Sequence, residues 1–193
     1  MDNCSASGDI DIDLSPTTFD CDDIVDPTPT IWINEVHYDN TGGDTGEFIE
    51  IAGTAGYDLS GHSLVLYDGG DMEPYNTENL SGTIPGEFGS NGFGTLAFFI
   101  SGIQNGAPDG IALVDDGGTV LEFISYEGVL TATAGPAMGM TSTDIGVAET
   151  GSTPVGFSLQ LSGSGSQQSD FTWAGPAADS PGTTNSGQTF VAA

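Results

Sequence analysis

Short runs of apolar residues, each bounded by glycine, proline or another turn-forming residue, recur along the chain from residue 31 onwards. The run at 157–161 is the clearest, because a phenylalanine and two leucines alternate with a serine and a glutamine and so share one face of a strand. Glycine or proline recurs within about ten residues through most of the chain, which leaves little room for a helix. Strands are predicted at 31–38, 47–52, 63–68, 95–100, 110–115, 119–126 and 157–161.

This spacing of short strands is typical of an antiparallel β-sandwich, so the predicted fold class is all-β. The sandwich is assigned residues 31–193, and residues 1–30 are predicted to form an acidic N-terminal extension. Residues 128–156 are rich in glycine, threonine, alanine and proline, and are predicted to form a long surface excursion. The segment from Gly175 onwards is predicted to close the fold in an extended conformation.

The absence of basic side chains excludes several classes of function. The 193 residues include 28 aspartates and glutamates but no lysine or arginine, so the formal net charge is −28. Ion pairs within the protein can therefore form only through the two histidines or the N-terminal amine. Direct nucleic-acid binding and adhesion to an anionic membrane both need basic side chains, and neither is expected. Membrane insertion is not expected either, since no apolar run approaches the roughly 18 residues of a spanning segment.

The two cysteines bear on the cellular compartment. Met1 and the residues after it carry neither the basic nor the apolar region of a signal peptide, so the chain is expected to be a mature, exported and extracellular protein. Cys4 and Cys21 are predicted to form a disulfide in such a compartment, where the closed loop is worth roughly 3 kcal/mol in the chain-entropy model. In a reducing compartment they would instead be two free thiols.

The N-terminal extension concentrates carboxylates at short spacing. Asp9, Asp11 and Asp13 alternate with apolar residues, which would align three carboxylates on one face of a strand, and Asp22 follows nearby. Calcium is bound by six to eight oxygen ligands and needs neither nitrogen nor sulfur. These four aspartates are therefore predicted to hold structural Ca²⁺. The alternative is a solvated acidic edge that prevents sheet aggregation.

A second acidic cluster consists of Glu35, Asp39, Asn40, Asp44, Glu47 and Glu50. Three of its carboxylates, those of Asp39, Asp44 and Glu47, lie in a glycine-rich loop between two predicted strands. A flexible loop of this kind can fold its oxygens around a cation, so these three residues are also predicted calcium ligands. Plain solvation is an equal alternative, and a glycosidase-type pair of carboxylates is a third.

The two histidines, His37 and His62, are not accompanied by a nucleophile-elbow, HExxH or CxxC motif. Each is expected to serve packing or surface polarity rather than catalysis. A triad with Ser63 or Ser125 is the open alternative, although no motif supports it.

Six motifs, taken in order, resemble the lamin tail domain, which is an immunoglobulin-like β-sandwich. They are Ile-Asn-Glu-Val at 33–36, Glu-Phe-Ile-Glu-Ile at 47–51, Asp-Leu-Ser-Gly-His-Ser-Leu at 58–64, Asp-Gly-Ile-Ala-Leu-Val-Asp at 109–115, Ser-Leu-Gln at 158–160 and Ser-Pro-Gly-Thr-Thr-Asn at 180–185. The likeness covers roughly residues 31–190 and rests on the ordered set rather than on any one motif.

Two further segments resemble the bacterial, exported branch of that family: Asn-Glu-Val-His-Tyr-Asp at 34–39 and Gly-Pro-Ala-Met-Gly-Met-Thr-Ser-Thr-Asp-Ile-Gly at 135–146. In that branch such modules precede the catalytic domain of secreted endonuclease/exonuclease/phosphatase-type enzymes. The resemblance implies an accessory module without catalytic residues, whose partners are other domains of a parent protein. The alternative is a self-assembling subunit of an extracellular filament or matrix, in which the N-terminal segment contacts an identical neighbour.

Overall fold

A computed structural model describes residues 30–87, 89–106 and 108–192 of the chain. The described part is an all-β fold, which confirms the predicted fold class. Its strands are β1 (Ile31–His37), β2 (Phe48–Thr54), β3 (Ser63–Asp68), β4 (Glu73–Asn79), β5 (Phe93–Phe99), β6 (Asp109–Val114), β7 (Val120–Tyr126), β8 (Thr143–Asp144), β9 (Phe157–Gly165), β10 (Phe171–Ala178) and β11 (Gln188–Phe190), with one 3₁₀ turn at Gln168–Asp170. In these residues, no helix has the length and apolar character needed to cross a membrane.

The strands form two sheets that pack face to face. The first sheet has the order β10-β9-β1-β2-β5, with β11 added parallel to β9, and the second has the order β4-β3-β6-β7-β8. The pair β7–β8 is also parallel, and all remaining neighbouring pairs are antiparallel. All seven strands predicted from the pattern are present, whereas β4, β8, β10 and β11 were not predicted.

The main core lies between the two sheets and follows the alternation of each strand. Ile49 and Ile51 of β2 face Leu64 and Leu66 of β3 across the sandwich, and all four side chains are completely buried. Burying side chains of this size stabilises the fold by about 1.5–3 kcal/mol each relative to leaving them exposed. These four residues lie in two of the strands that the sequence pattern predicts.

The outer face of the second sheet is also covered. Leu130, Ala132 and Ala137, from the predicted surface excursion, pack with Tyr67 and Phe123 into a second apolar cluster. The amide of Ala137 donates to the Tyr67 hydroxyl at 2.9 Å. The first part of the segment 128–156 therefore covers the outer face of this sheet, and residues 130–140 are called the lid.

The outer face of the first sheet carries an aromatic cluster at one end. Trp32, Phe93, Phe171 and Phe190 have ring centroids 5.4–6.0 Å apart, and Phe190 is brought there by the C-terminal strand β11. The rest of this face is polar, and the chain between β10 and β11 closes over it. That polar layer holds the buried carboxylates of Glu35 and Glu50.

Candidate functional site

The loop between β1 and β2 contains the three carboxylates predicted to bind calcium. The backbone amide of Asn40 and the side-chain amide of Asn105 both donate to Asp44, at 3.3 and 3.4 Å. Burial, followed by the neighbouring Asp44 carboxyl, raises the pKa of Asp39 above its ordinary value. Asp39 and Asp44 therefore lie together, and their mutual repulsion makes the pair a favourable place for a cation.

Glu47 does not join this pair. Its Oε2 accepts a hydrogen bond from the amide of Gly102 at 2.8 Å, and its Oε1 is buried without a hydrogen-bond partner in the part of the chain that the structure describes. Among the described residues, no three His, Cys, Asp or Glu side chains lie close enough together to hold a metal ion. Calcium binding in this loop thus stays a prediction, for which the structure supplies two neighbouring carboxylates.

The other predicted site residues cannot be placed. The candidate calcium ligands Asp9, Asp11, Asp13 and Asp22 lie outside the described residues, and so does the predicted disulfide between the two cysteines of residues 4 and 21. The acidic N-terminal extension therefore stays a prediction from the sequence.

His37 is held by a buried ion pair. Its Nδ1 lies 2.9 Å from Oε1 of Glu149, and both side chains are almost completely buried. Its Nε2 lies 2.9 Å from the Asn40 amide nitrogen and 3.3 Å from the Thr45 carbonyl oxygen. Burial lowers the pKa of His37, but the hydrogen bond and the charge of Glu149 outweigh it, so that the net pKa is raised. Both ring nitrogens are therefore occupied by the protein itself.

Glu149 also fixes the end of β1. Its Oε2 accepts hydrogen bonds from the amides of Tyr38 and Asp39 at 2.6 and 2.9 Å, and its own amide donates to the Tyr38 hydroxyl at 2.7 Å. This one carboxylate thus anchors the start of the acidic loop. No local pattern indicates this role, because Glu149 lies at least 110 residues from its partners, in a segment without strand pattern.

The second histidine, His62, is engaged through one ring nitrogen, and its Nδ1 is buried without a partner among the described residues. Nε2 of His62 lies 3.1 Å from the Tyr57 hydroxyl, while the hydroxyl of Ser125 accepts a hydrogen bond from Ser142 at 2.7 Å. In the described ranges, no hydrogen bond joins either histidine to a serine hydroxyl. The geometry of a serine triad is therefore not formed by Ser63 or Ser125.

Three carboxylates of the first sheet and its connections bind the segment that follows β10. Glu35 accepts hydrogen bonds from the amide of Ser180 at 2.9 Å and from its hydroxyl at 3.0 Å. Glu50 accepts from the amide of Gly182 at 2.6 Å. The third carboxylate is that of Glu87, described below. We call Glu35, Glu50 and Glu87 the carboxylate clamp, because they bind every second residue of this segment.

Glu87 binds the last residue of the clamped segment. Its Oε2 accepts from both the amide and the hydroxyl of Thr184, at 3.0 and 2.6 Å, while its Oε1 accepts from the Thr95 hydroxyl at 3.0 Å. In a chain without lysine or arginine, these carboxylates take backbone amides and hydroxyls as partners instead of basic side chains. A carboxylate held by several such donors is stabilised without a counter-ion.

Burial raises the pKa of two members of the clamp. Burial raises the pKa of Glu50 to about 8, which its hydrogen bond from Asn34 offsets only in part. Burial also raises the pKa of Glu35, against the opposing effect of its hydrogen bonds from Ser158, Ser180 and Gln160. Because these donors occupy both carboxyl groups, Glu35 and Glu50 are not free to act as a glycosidase pair.

An open pocket of about 420 Å³ lies between the β7–β8 edge of one sheet and β10 of the other. Its walls include the apolar side chains of Ile145, Phe171 and Trp173 together with Glu122. Oε2 of Glu122 accepts the amide of Ile33 at 2.8 Å, and its Oε1 is buried without a partner among the described residues. Burial raises the pKa of this carboxyl to about 7. The sequence does not single out Glu122, because nothing in the pattern of β7 distinguishes a buried glutamate from an exposed one.

Comparison of the chain with models of protein families, with curated proteins and with solved structures finds no match in any of the three. The likeness to the lamin tail domain therefore rests on the ordered motifs alone.

Proposed function

We propose that the chain is a non-catalytic structural and interaction module of an exported protein, of the lamin tail type. The observation that carries this proposal is that buried titratable side chains are hydrogen-bonded to other groups of the same chain. Both nitrogens of His37 and the carboxyls of Glu35, Glu50 and Glu149 are engaged with the chain's own donors and acceptors. Groups that are buried and engaged in this way hold a fold together and offer nothing to a substrate.

The contacts between motifs support the family assignment. Glu35, from the first motif of the resemblance, binds Ser180 from the last, although 145 residues separate them. The side-chain amide of Asn185, also from the last motif, donates to the carbonyl oxygen of Asn34 at 3.2 Å. Two motifs that were quoted separately thus form one hydrogen-bonded unit, which is what a shared domain signature requires. An immunoglobulin-like connectivity remains part of this proposal.

Calcium is the proposed stabilising ion. Asp39 and Asp44 supply two adjacent carboxylates at the end of the sandwich, and the aspartates of the N-terminal extension would add further sites. A compact chain of net charge −28 repels itself, and Ca²⁺ cancels charge where carboxylates crowd together. The bound ion would be structural, with no part in a reaction.

A substrate screen tests the non-catalytic assignment. The full chain is assayed with phosphodiester, glycoside, ester and peptide substrates, each with millimolar calcium and with EDTA. We expect no turnover in any assay. Turnover that disappears in the Glu35→Gln or Glu149→Gln variant, while a Glu73→Gln control at an exposed position retains it, would refute the proposal.

A further inference from the structure

An open sheet exposes unpaired backbone groups along its edges, and natural proteins protect such edges against pairing with other chains. In the described part of this chain, the sheet orders end in β10 and β5 for the first sheet and in β4 and β8 for the second. These four edges differ in how they are protected.

Three of the four carry known protective features. β10 contains Pro176, and its register with β9 is interrupted between Ala174 and Ala177. β4 contains Pro74 together with glutamates at both ends, and its pairing with β3 is also irregular. β8 is only two residues long, and one of them is Asp144. Proline, charge, bulges and short length all oppose the addition of another strand.

β5 has none of these features. It pairs with β2 over seven residues in unbroken register, from Phe93 to Phe99. It contains neither proline nor a charged residue, and the sequence has no charged residue anywhere from 88 to 108. Phe99 is 67% exposed and rests against Phe48, with 5.7 Å between ring centroids. Short, uncharged segments of high β-propensity are those that pair most readily.

The backbone of β5 shows which groups point outward. The amide of Ile100 donates to the carbonyl of Glu47, so the even-numbered residues of β5 bond to β2 and the odd-numbered residues face the open edge. Glu87 covers the start of that edge, because its amide donates to the carbonyl of Phe93 at 3.3 Å. Further along, the structure shows no backbone partner for the outward groups of Ala97 and Phe99 within the residues it describes.

We propose that the open edge of β5, at residues 97–99, pairs antiparallel with the same strand of a second copy of this chain. The second copy is favoured over other partners by charge. A basic partner would bind the acidic surfaces rather than a neutral edge, whereas two copies of net charge −28 can approach each other most closely along a strand that carries no carboxylate. A two-fold axis across β5 brings this uncharged strand against itself.

This inference rests on the proposed function only in that it names one interaction surface of the module. It also predicts an unusual salt dependence. Repulsion between two strongly acidic copies acts over a Debye length, which is about 30 Å at 0.01 M and about 8 Å at 0.15 M ionic strength. Added salt therefore strengthens the association, whereas it would weaken an interface built on ion pairs.

Sedimentation equilibrium of the full chain in EDTA, from 10 to 500 mM sodium chloride, tests the interface. We expect self-association to tighten at least tenfold across this range. Phe99→Asp places a carboxylate on the edge, and Ala97→Pro removes an outward amide that donates to no backbone group among the described residues. Both substitutions are expected to abolish association. Met138→Asp is the matched control, because Met138 is equally exposed, at 68%, on the lid of the other sheet, and it should associate like the parent chain.

Amide hydrogen exchange gives a second readout. The amides of Ala97 and Phe99 should be protected at high protein concentration and salt but exchange quickly in the dilute monomer. A chain that is monomeric at every salt concentration, or a dimer lost in Met138→Asp but kept in the two edge variants, would overturn the inference. Protection of both amides in the monomer would also do so, since the edge would then already be covered. These outcomes are independent of the non-catalytic assignment, which would be refuted only by turnover in the substrate screen.

Discussion

Replacing Glu122 with glutamine is expected to stabilise the protein above pH 7 and to leave its stability unchanged near pH 4. The carboxyl has a folded-state pKa of about 7, against an ordinary value of 4.5, because of burial. It therefore binds its proton more tightly in the folded chain than in the unfolded chain. The free energy of unfolding falls as the pH rises from about 4.5 through about 7, and this contribution is constant above that range.

The magnitude follows from the pKa difference. The step from 4.5 to about 7 corresponds to about 3 kcal/mol, at about 1.4 kcal/mol for each pH unit. Glutamine should recover most of this energy, because its carbonyl oxygen can accept the amide of Ile33 as Oε2 does now. Its amide nitrogen would take the place of Oε1, which has no partner to lose among the described residues. For a chain of this size, about 3 kcal/mol raises the unfolding midpoint by about 6–12 °C.

The assay is thermal or urea unfolding of both chains from pH 4 to pH 8.5 at constant ionic strength. The two stability curves should meet near pH 4 and separate as the pH rises to about 7. Glu73→Gln is the control, because it removes one charge from an exposed position on β4. A difference between Glu122→Gln and the parent chain that does not change with pH would refute the reasoning, and so would an equal gain in the control.

Three further predictions concern the remaining buried and paired groups. The stability of the parent chain should go on falling to about pH 8 as Glu50 loses its proton, which urea unfolding at pH 7 and pH 8.5 would show. Glu149→Ala should cost about 3–5 kcal/mol by leaving buried His37 unpaired, whereas Glu149→Gln should cost less and lower the pKa of His37 measured by NMR. Calcium at about 10 mM should add about 2.7 kcal/mol if its sites bind near 10⁻⁴ M, and Asp39→Asn with Asp44→Asn should reduce that gain. Identical melts in EDTA and calcium would contradict the calcium proposal.

The strands that could be predicted from the sequence carry one of two patterns. In β9, apolar and polar residues alternate from Phe157 to Leu161, whereas β3 is an unbroken apolar run, because clusters on both faces of its sheet bury it. The strand β4 escaped prediction because Glu73–Asn79 is a polar edge strand that contains a proline and has no apolar face. Its extended form comes from hydrogen bonds to β3, which are contributed by another part of the chain.

The same division holds for the candidate sites. The closeness of Asp39 and Asp44 could be expected, because five residues of one loop keep them near each other whatever the rest of the chain does. The sequence by itself also determined that no basic side chain would be available to any carboxylate. Only the tertiary structure determines which amides, hydroxyls and imidazoles bind the carboxylates in place of basic side chains. Glu149 meets His37 across 112 residues, and Glu87 meets Thr184 across 97, because sheet order and strand register bring those positions together. Register depends on the packing of whole strands, and no local pattern around either glutamate encodes it.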